Sequence, residues 1–298
     1  MTLMACVPNV SEGRRHDLID AMARAIRTVA GVTLVDYSAD PSHNRSVFTL
    51  VGEAAAVEAG VLALYELAVA DIDLRTHRGE HPRIGAVDVV PFVPLQGTPM
   101  SACVQAAQRT GREIADRFQV PVFLYEEAAA TAARKNLEDI RRGGFEGLAT
   151  KMAAPEWTPD FGPSAPHPTA GASAVGARQP LIAFNVNLAT NRLDVAKAIA
   201  AAVRQRGGGL PFVKALGLAL PDREIVQVSM NLTNYRETSM RRAFDAVARE
   251  AARHGVDVLE SEIIGLVPAA ALGPGDEARL GLRTPAADSI LENKIRTL

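Results

Sequence analysis

Two segments of strict alternation constrain this chain more than any other feature. In LIAFNVNL (181–188), Ile182, Phe184, Val186 and Leu188 alternate with Asn185 and Asn187. In EIVQVSMNL (224–232), Val226, Val228, Met230 and Leu232 alternate with Gln227, Ser229 and Asn231. A period of two places the apolar residues of a strand on one sheet face and the polar ones on the other. The apolar face must be covered, and helical spacing nearby supplies the cover: Ala196, Ile199, Ala200 and Val203 after the first strand, Met240, Ala243, Phe244 and Val247 after the second. FVKALGLAL and VDVLESEIIGLVP read as the remaining strands. The order is strand, helix, strand, strand, helix, strand, which is the split βαβ arrangement. RGGGLP lies between helix and strand, the wrong order for a dinucleotide fingerprint.

The first half of the chain repeats this order. Leu3–Val7 reads as a strand, and Leu18, Ile19, Met22, Ile26 and Val29 mark a helix. VTLVDYS and RSVFTLVG are strands, residues 53 to 71 a helix, and AVDVVPFV a strand. An added helix (about 100–118) and the strand PVFLYE follow. The expected class is therefore α+β, in two tandem halves: 1–178, which includes a Pro/Gly-rich crossover, and 179–298. The crossover, 155–180, holds six prolines, a density that predicts no regular element. It reads either as a linker or, because it carries Trp157, Phe161 and His167, as a structured segment that touches a ligand.

The 298 residues are 48% hydrophobic, enough for a sizeable core, and a net charge of −2 gives no drive toward nucleic acid or anionic membrane. Cys6 and Cys103 have no motif spacing and read as small core residues. The start, MTLMACVPNVSEG, lacks the basic and apolar regions of a signal peptide, and no apolar run approaches the ~18 residues of a membrane span. A soluble, cytoplasmic protein is expected.

THRGEHPRIGAVD (76–88) carries His77, Glu80 and His81 in the His-x-x-Glu-His order of some zinc peptidases. Such ligands share a face only on a helix. Gly79 lies between the histidines, and Pro82 biases His81 away from the α region. The stretch reads as a loop leading into a strand. It is either a solvated turn or a place for acid–base chemistry, and no metal is expected. The polar strand face, Asn185, Asn187, Gln227, Ser229 and Asn231, is either a solvated sheet face or a ligand surface. Amides both donate and accept, which suits a neutral heterocycle or an amide-bearing substrate.

Blocks across nearly the whole chain resemble one family: CVPNVSEG (6–13), HNRSVFTLVG (43–52), HRGEHPRIGAVDVVPFVP (77–94), DFGPS (160–164), GARQPLIAFNVNL (176–188) and QVSMNLTN (227–234). They are similar to glutamate formimidoyltransferase, the transferase part of the formiminotransferase-cyclodeaminase family. The resemblance implies transfer of the formimino group of N-formimino-L-glutamate to the 5-nitrogen of tetrahydrofolate, a co-substrate, in histidine degradation. It implies two ferredoxin-like halves whose open sheet faces form a folate cleft, and a homodimer. It makes His81 the catalytic histidine and implies folate or substrate contacts at Asn9, Asn44 and Arg45. The loop Gly162–Gly171, with Gly162, Pro163, Ser164 and Gly171, is also implied to contact folate. The attacking nitrogen must lose a proton and the glutamate nitrogen must gain one; a histidine, with an ordinary pKa of about 6.5, can do both. Glu80 could orient it or face water. Arg83, Arg45 and Lys214 could hold carboxylates. A metal-dependent hydrolase, a non-catalytic folate-binding protein and a transferase of formyl rather than formimino groups are the alternatives. About thirty residues follow GLVP, too few for a second domain's core, so a separate cyclodeaminase is expected to act next.

Overall fold

The computed structural model describes residues 3–41, 43–79, 82–95 and 97–296. The chain folds as two compact units, Met1–Arg178 and Gln179–Leu298, and its class is α+β.

In the first unit, β1 (Leu3–Cys6) and β2 (Asn9–Val10) are two halves of one strand, interrupted at Val7–Pro8 where proline cannot donate to the ladder. They lead to α1 (His16–Arg27), β3 (Val32–Asp40), β4 (Arg45–Glu53), α2 (Ala54–Asp71), β5 (Val87–Pro94), α3 (Met100–Phe118), β6 (Val122–Glu126), α4 (Leu137–Arg141), α5 (Gly144–Met152) and β7 (Ser173–Ala177). The sheet order is β3, β4, β1/β2, β5, β7, β6; it is antiparallel as far as β5, and β7 runs parallel to both β5 and β6. Apolar stripes of the first three helices, such as Leu18, Ile19, Met22 and Ile26 of α1 and Val57, Val61 and Leu64 of α2, bury one sheet face with Phe48, Leu50 and Phe92. Each such side chain contributes roughly 1.5–3 kcal/mol by leaving water. On the other face Ile140, Leu148 and Met152 of the short α4–α5 arm pack on Val89, Phe123 and Ala174.

The crossover differs from expectation. Within 155–180, β7 forms a fully buried strand in the middle of the parallel trio. Residues 169–179 contain no proline, and the density averaged over the longer stretch concealed this. Nor is the segment a tether: Phe161 packs on the core and Asp160 accepts from the Leu124 N–H at 2.7 Å.

The second unit consists of β8 (Ile182–Leu188), α6 (Leu193–Val203), β9 (Val213–Leu220), β10 (Ile225–Leu232), α7 (Met240–Arg253) and β11 (Val258–Ile264), followed by short turns and helices. Its antiparallel sheet has the order β11, β8, β10, β9. In both units the unit's first and third strands are neighbours, flanked by its second and fourth, as β3-β4-β1-β5 and β9-β10-β8-β11. Ile182, Phe184, Val186 and Leu188 are buried with Val226, Val228, Met230 and Leu232 beneath α6 and α7, as the alternation requires. Among the described residues no helix is long and apolar enough to cross a membrane.

Candidate active site

Glu80 and His81 lie outside the described residues; the segments on either side of them are fixed in detail. Upstream, Asn44 ties three segments together. Its Oδ1 accepts from the Gly13 N–H (2.9 Å), its Nδ2 donates to the Arg78 carbonyl (2.9 Å), and its own carbonyl meets His77 Nε2 at 2.9 Å. Asn44 has φ +49°, a left-handed conformation that asparagine tolerates better than most residues. Gly79 lies so close that an added Cβ would sit 2.2 Å from the His43 carbonyl oxygen. Downstream, Ile84 N–H donates to Asp88 Oδ1 (2.9 Å), Ser11 Oγ donates to the Gly85 carbonyl (2.7 Å), and Ala172 N–H donates to the Ile84 carbonyl (2.9 Å).

His77 is buried and its partners fix its tautomer. Arg83 Nε–H donates to His77 Nδ1 at 2.9 Å, so Nδ1 carries no proton; Nε2 must then be the N–H that donates to the Asn44 carbonyl. Burial, and to a lesser degree the Arg83 charge, pushes its pKa below the ordinary histidine value, so the ring is held neutral. With both nitrogens engaged and residues 77–79 non-helical, His77 is not presented as a zinc ligand. Arg83 is equally committed: it forms a two-pronged ion pair with Glu146 of α5 (Nη2–Oε1 2.9 Å, Nη1–Oε2 3.2 Å) and also donates to the His77 carbonyl (3.2 Å). These partners are all protein groups, so Arg83 braces the loop.

Beside this loop is a charged cluster. Asp88, a lone acid in an apolar strand, is fully buried. Its Oδ2 accepts from Arg45 Nη1 (3.1 Å) and from Arg141 Nη2 (2.6 Å), the last residue of α4. Arg45 also donates to Asn9 Oδ1 from Nε (3.0 Å) and Nη2 (2.7 Å). Burial, and next the nearby Arg141 charge, brings the Arg45 pKa down to about 10. Burial alone would raise the Asp88 carboxyl, but the two guanidiniums outweigh it and hold the group below its ordinary range.

The loop that precedes β7 splits between two places. His167 and Gly171 exchange backbone hydrogen bonds (2.8 and 2.9 Å), and His167 Nδ1 accepts from the Ala170 N–H (3.0 Å). Gly171, at φ +69°, abuts the Ile84 carbonyl, which an added Cβ would reach at 2.0 Å. This end of the loop therefore lies against the histidine segment. Gly162 lies instead against Ala115 and Val120, with Pro163 half-buried and Ser164 exposed.

In the second unit β8 and β10 pair with Gln227 opposite Asn187 and Ser229 opposite Asn185. The amides are bound into a network with two glutamates of β11. Gln227 Nε2 donates to Asn187 Oδ1 and Glu262 Oε1 (both 2.9 Å), Asn187 Nδ2 to Glu260 Oε1 (3.0 Å), and Asn185 Nδ2 to Glu262 Oε1 (3.2 Å). Arg223 pairs with Glu260 at 2.8 Å, and this bond with that of Asn187 overcomes burial to hold Glu260 below its ordinary range. Asn187 and Gln227 are buried within the network; Ser229 is half-buried and Asn231 exposed. Lys214 lies opposite Asn231 on β9.

Residues 3–178 match the family model of the formiminotransferase domain, N-terminal subdomain, and residues 183–277 match that of the formiminotransferase domain. The chain belongs to the formiminotransferase family. It is 47% identical to a glutamate formimidoyltransferase of Thermoplasma acidophilum over 99% of this chain and 98% of that one. It is 46% identical to one of Streptococcus pyogenes, over 91% and 90% respectively. The formimidoyltransferase-cyclodeaminase of Sus scrofa is 43% identical over 91% of this chain, which spans 51% of that protein.

Within this formiminotransferase chain the structure brings Asn9, Arg45 and Asp88 together, and Asn44 together with the segment before His81. Asp88, Arg141, Glu260 and Glu262 were not expected. Asp88 was visible as the single charge in AVDVVPFV, and Glu260 and Glu262 as the polar half of the alternation in VDVLESEII. Arg141 carried no signal, because only the path of α4 brings it to Asp88.

Proposed function

We propose that the protein transfers the formimino group of N-formimino-L-glutamate to the 5-nitrogen of tetrahydrofolate and releases glutamate. The observation that carries this reading is near-complete coverage, at 46–47% identity, of two relatives named for that activity, with the Gly-Glu-His-Pro-Arg motif intact at 79–83. On this reading each unit is a ferredoxin-like βαββαβ domain, supported by the shared strand order. His81 takes the proton from the attacking folate nitrogen and returns it to the departing glutamate nitrogen, and Glu80 supports it. The neutral, doubly bonded His77 is unsuited to that role, which favours His81 as the base. Arg45 faces the carboxylate of a substrate, with Asn9 and Asp88 holding its guanidinium. The partly exposed polar groups of β10, Ser229 and Asn231, beside the Asn185–Asn187–Gln227 network, receive the neutral pterin, and the Gly162–Gly171 loop adds contacts to the folate. We place the enzyme in the cytoplasm, in histidine catabolism, as a homodimer.

A donor panel tests the reading. N-formimino-L-glutamate and N-formyl-L-glutamate are each offered with tetrahydrofolate, and folate products are identified by mass. The formimino donor should be preferred. Preference for the formyl donor selects the formyl-transfer alternative, and folate binding without turnover selects the non-catalytic one.

A further inference from the structure

Among the described residues the two sheets end in four edge strands, β3, β6, β11 and β9, and the first three are protected. β3 is broken by a bulge between Leu34 and Asp36 and carries Asp36 and Asp40. The outer side of β6 is met by the crossover: Val122 N–H donates to the Phe161 carbonyl (2.9 Å) and Leu124 N–H to Asp160 (2.7 Å). The outer side of β11 is met by the chain beyond it, where Ser261 N–H donates to the Gly281 carbonyl and the Ser261 carbonyl accepts from the Arg283 N–H, both at 2.9 Å. Bulges, charges and covering segments are the devices that keep a sheet edge from pairing with another strand. β9 has none of them over 215–220, the stretch Ala-Leu-Gly-Leu-Ala-Leu.

The backbone of β9 is left open on its outer side. Thr233 N–H donates to the Phe212 carbonyl, and bonded pairs alternate along an antiparallel ladder. Leu216 and Leu218 therefore turn their N–H and C=O groups toward β10, while Ala215, Gly217 and Ala219 turn theirs outward. No hydrogen bond from another described residue reaches these outward groups. Gly217 lies against α6, where an added Cβ would sit 2.4 Å from the Lys197 nitrogen, so Ala215 and Ala219 share the helix-covered face. Leu216 and Leu218 lie on the opposite face, and Leu216 is 62% exposed.

We propose that two copies of this chain pair through β9, antiparallel about a two-fold axis at Gly217; this rests on the homodimer of the reading above and gives it a surface. Ala215–Ala219 reads the same in both directions, Ala-Leu-Gly-Leu-Ala, so the axis sets like against like. Gly217 meets the partner's Gly217, and Ala215 meets the partner's Ala219, through the outward backbone groups of both copies. On the helix-covered face these small residues hold nothing apart. On the other face Leu216 meets the partner's Leu218, and each loses water-exposed apolar surface. The pairing joins two four-stranded sheets into one and satisfies both open edges at once.

The test combines sedimentation equilibrium with residue-resolved amide hydrogen exchange on the full chain. Wild type should be a dimer. Relative to dilute, dissociated protein, the dimer should exchange its Ala215, Gly217 and Ala219 amides about tenfold more slowly or better, while those of Leu216 and Leu218, already bonded to β10, change little. Ala219→Pro removes an outward N–H that β10 does not use, and Ala219→Lys puts a charge at the seam. Each should raise the dimer dissociation constant about tenfold or more, with thermal unfolding followed by circular dichroism identifying folded variants. The exchange measurement needs no variant and decides the matter if neither variant folds. A wild-type dimer whose outward β9 amides exchange as fast as the monomer's overturns this surface and leaves the homodimer standing. So do folded variants that dimerise as tightly as wild type. Wild type that stays monomeric overturns both.

Discussion

Replacing Asp88 with asparagine tests the charged cluster at its centre. The carboxylate accepts three hydrogen bonds: Arg45 at 3.1 Å, Arg141 at 2.6 Å and the Ile84 N–H at 2.9 Å. An asparagine oxygen can keep one or two of these, while its NH₂ confronts a donor. The two guanidiniums, whose side chains are only 11% and 14% exposed, lose the carboxylate they share. Breaking a buried ion pair from one side costs about 3–5 kcal/mol. Trp157 is the chain's one tryptophan and belongs to the first unit, so its fluorescence during urea unfolding reports that unit alone. With a urea dependence of about 2 kcal/mol per molar, the midpoint should fall by roughly 2 M. Because Asp88 is held below its ordinary range, its contribution is fully present above the unfolded carboxylate value of about 3.9 and is lost as pH falls through the lowered folded value. The gap between wild type and variant should therefore be constant from pH 8 to about 5 and close only in stronger acid. Arg141→Met alone should cost less, since Asp88 keeps Arg45. A midpoint for Asp88→Asn within about 0.3 M of wild type would refute the view that this carboxylate anchors the cluster.

His77→Asn preserves an acceptor near Arg83 but strands the Asn44 carbonyl. It should lower first-unit stability by about 1–3 kcal/mol, measured by the same unfolding, while leaving turnover far less affected than loss of His81. The His77 pKa is lowered on folding, so its neutral form stabilises the fold above the unfolded value of about 6.5 and that support fades as pH drops below it; the wild-type advantage over His77→Asn should shrink in that range. In the second unit Ser229→Ala should weaken tetrahydrofolate binding about 2- to 10-fold by calorimetry with little change in thermal stability. Asn187→Ala should lower stability as well, since it leaves Gln227 and Glu260 each short of a partner; unchanged folate affinity in both would remove this face from the binding site.

Strands were the most legible part of the chain, because alternation over seven or eight residues reports which side of a sheet is buried. β8 and β10 fall where LIAFNVNL and EIVQVSMNL place them, and β5 where AVDVVPFV does. β7 was illegible because SAVGA is short, small and buried on both faces, with no alternation to read. The α4–α5 arm lacks a long apolar stripe, and so did not stand out as helix. For the site, local sequence spacing located the loop around His77 and the amides. It could not show that His77 is locked by Asn44 and Arg83, that Arg83 is engaged by Glu146, or that Arg141 meets Asp88, since those contacts join residues distant in the chain. The alternation likewise found the amides without their partners, because Glu260 and Glu262 enter through a strand seventy residues further on.

The proposed role of His81 in formimino transfer is tested most directly by measuring, side by side for wild type and His81→Asn, the release of glutamate from N-formimino-L-glutamate in the presence of tetrahydrofolate, with the folate product weighed by mass spectrometry. Wild type should release glutamate stoichiometrically with 5-formiminotetrahydrofolate. The variant should bind tetrahydrofolate normally and turn over about 10² to 10⁴ times more slowly. No glutamate from wild type, or equal rates from the two proteins, would contradict that role.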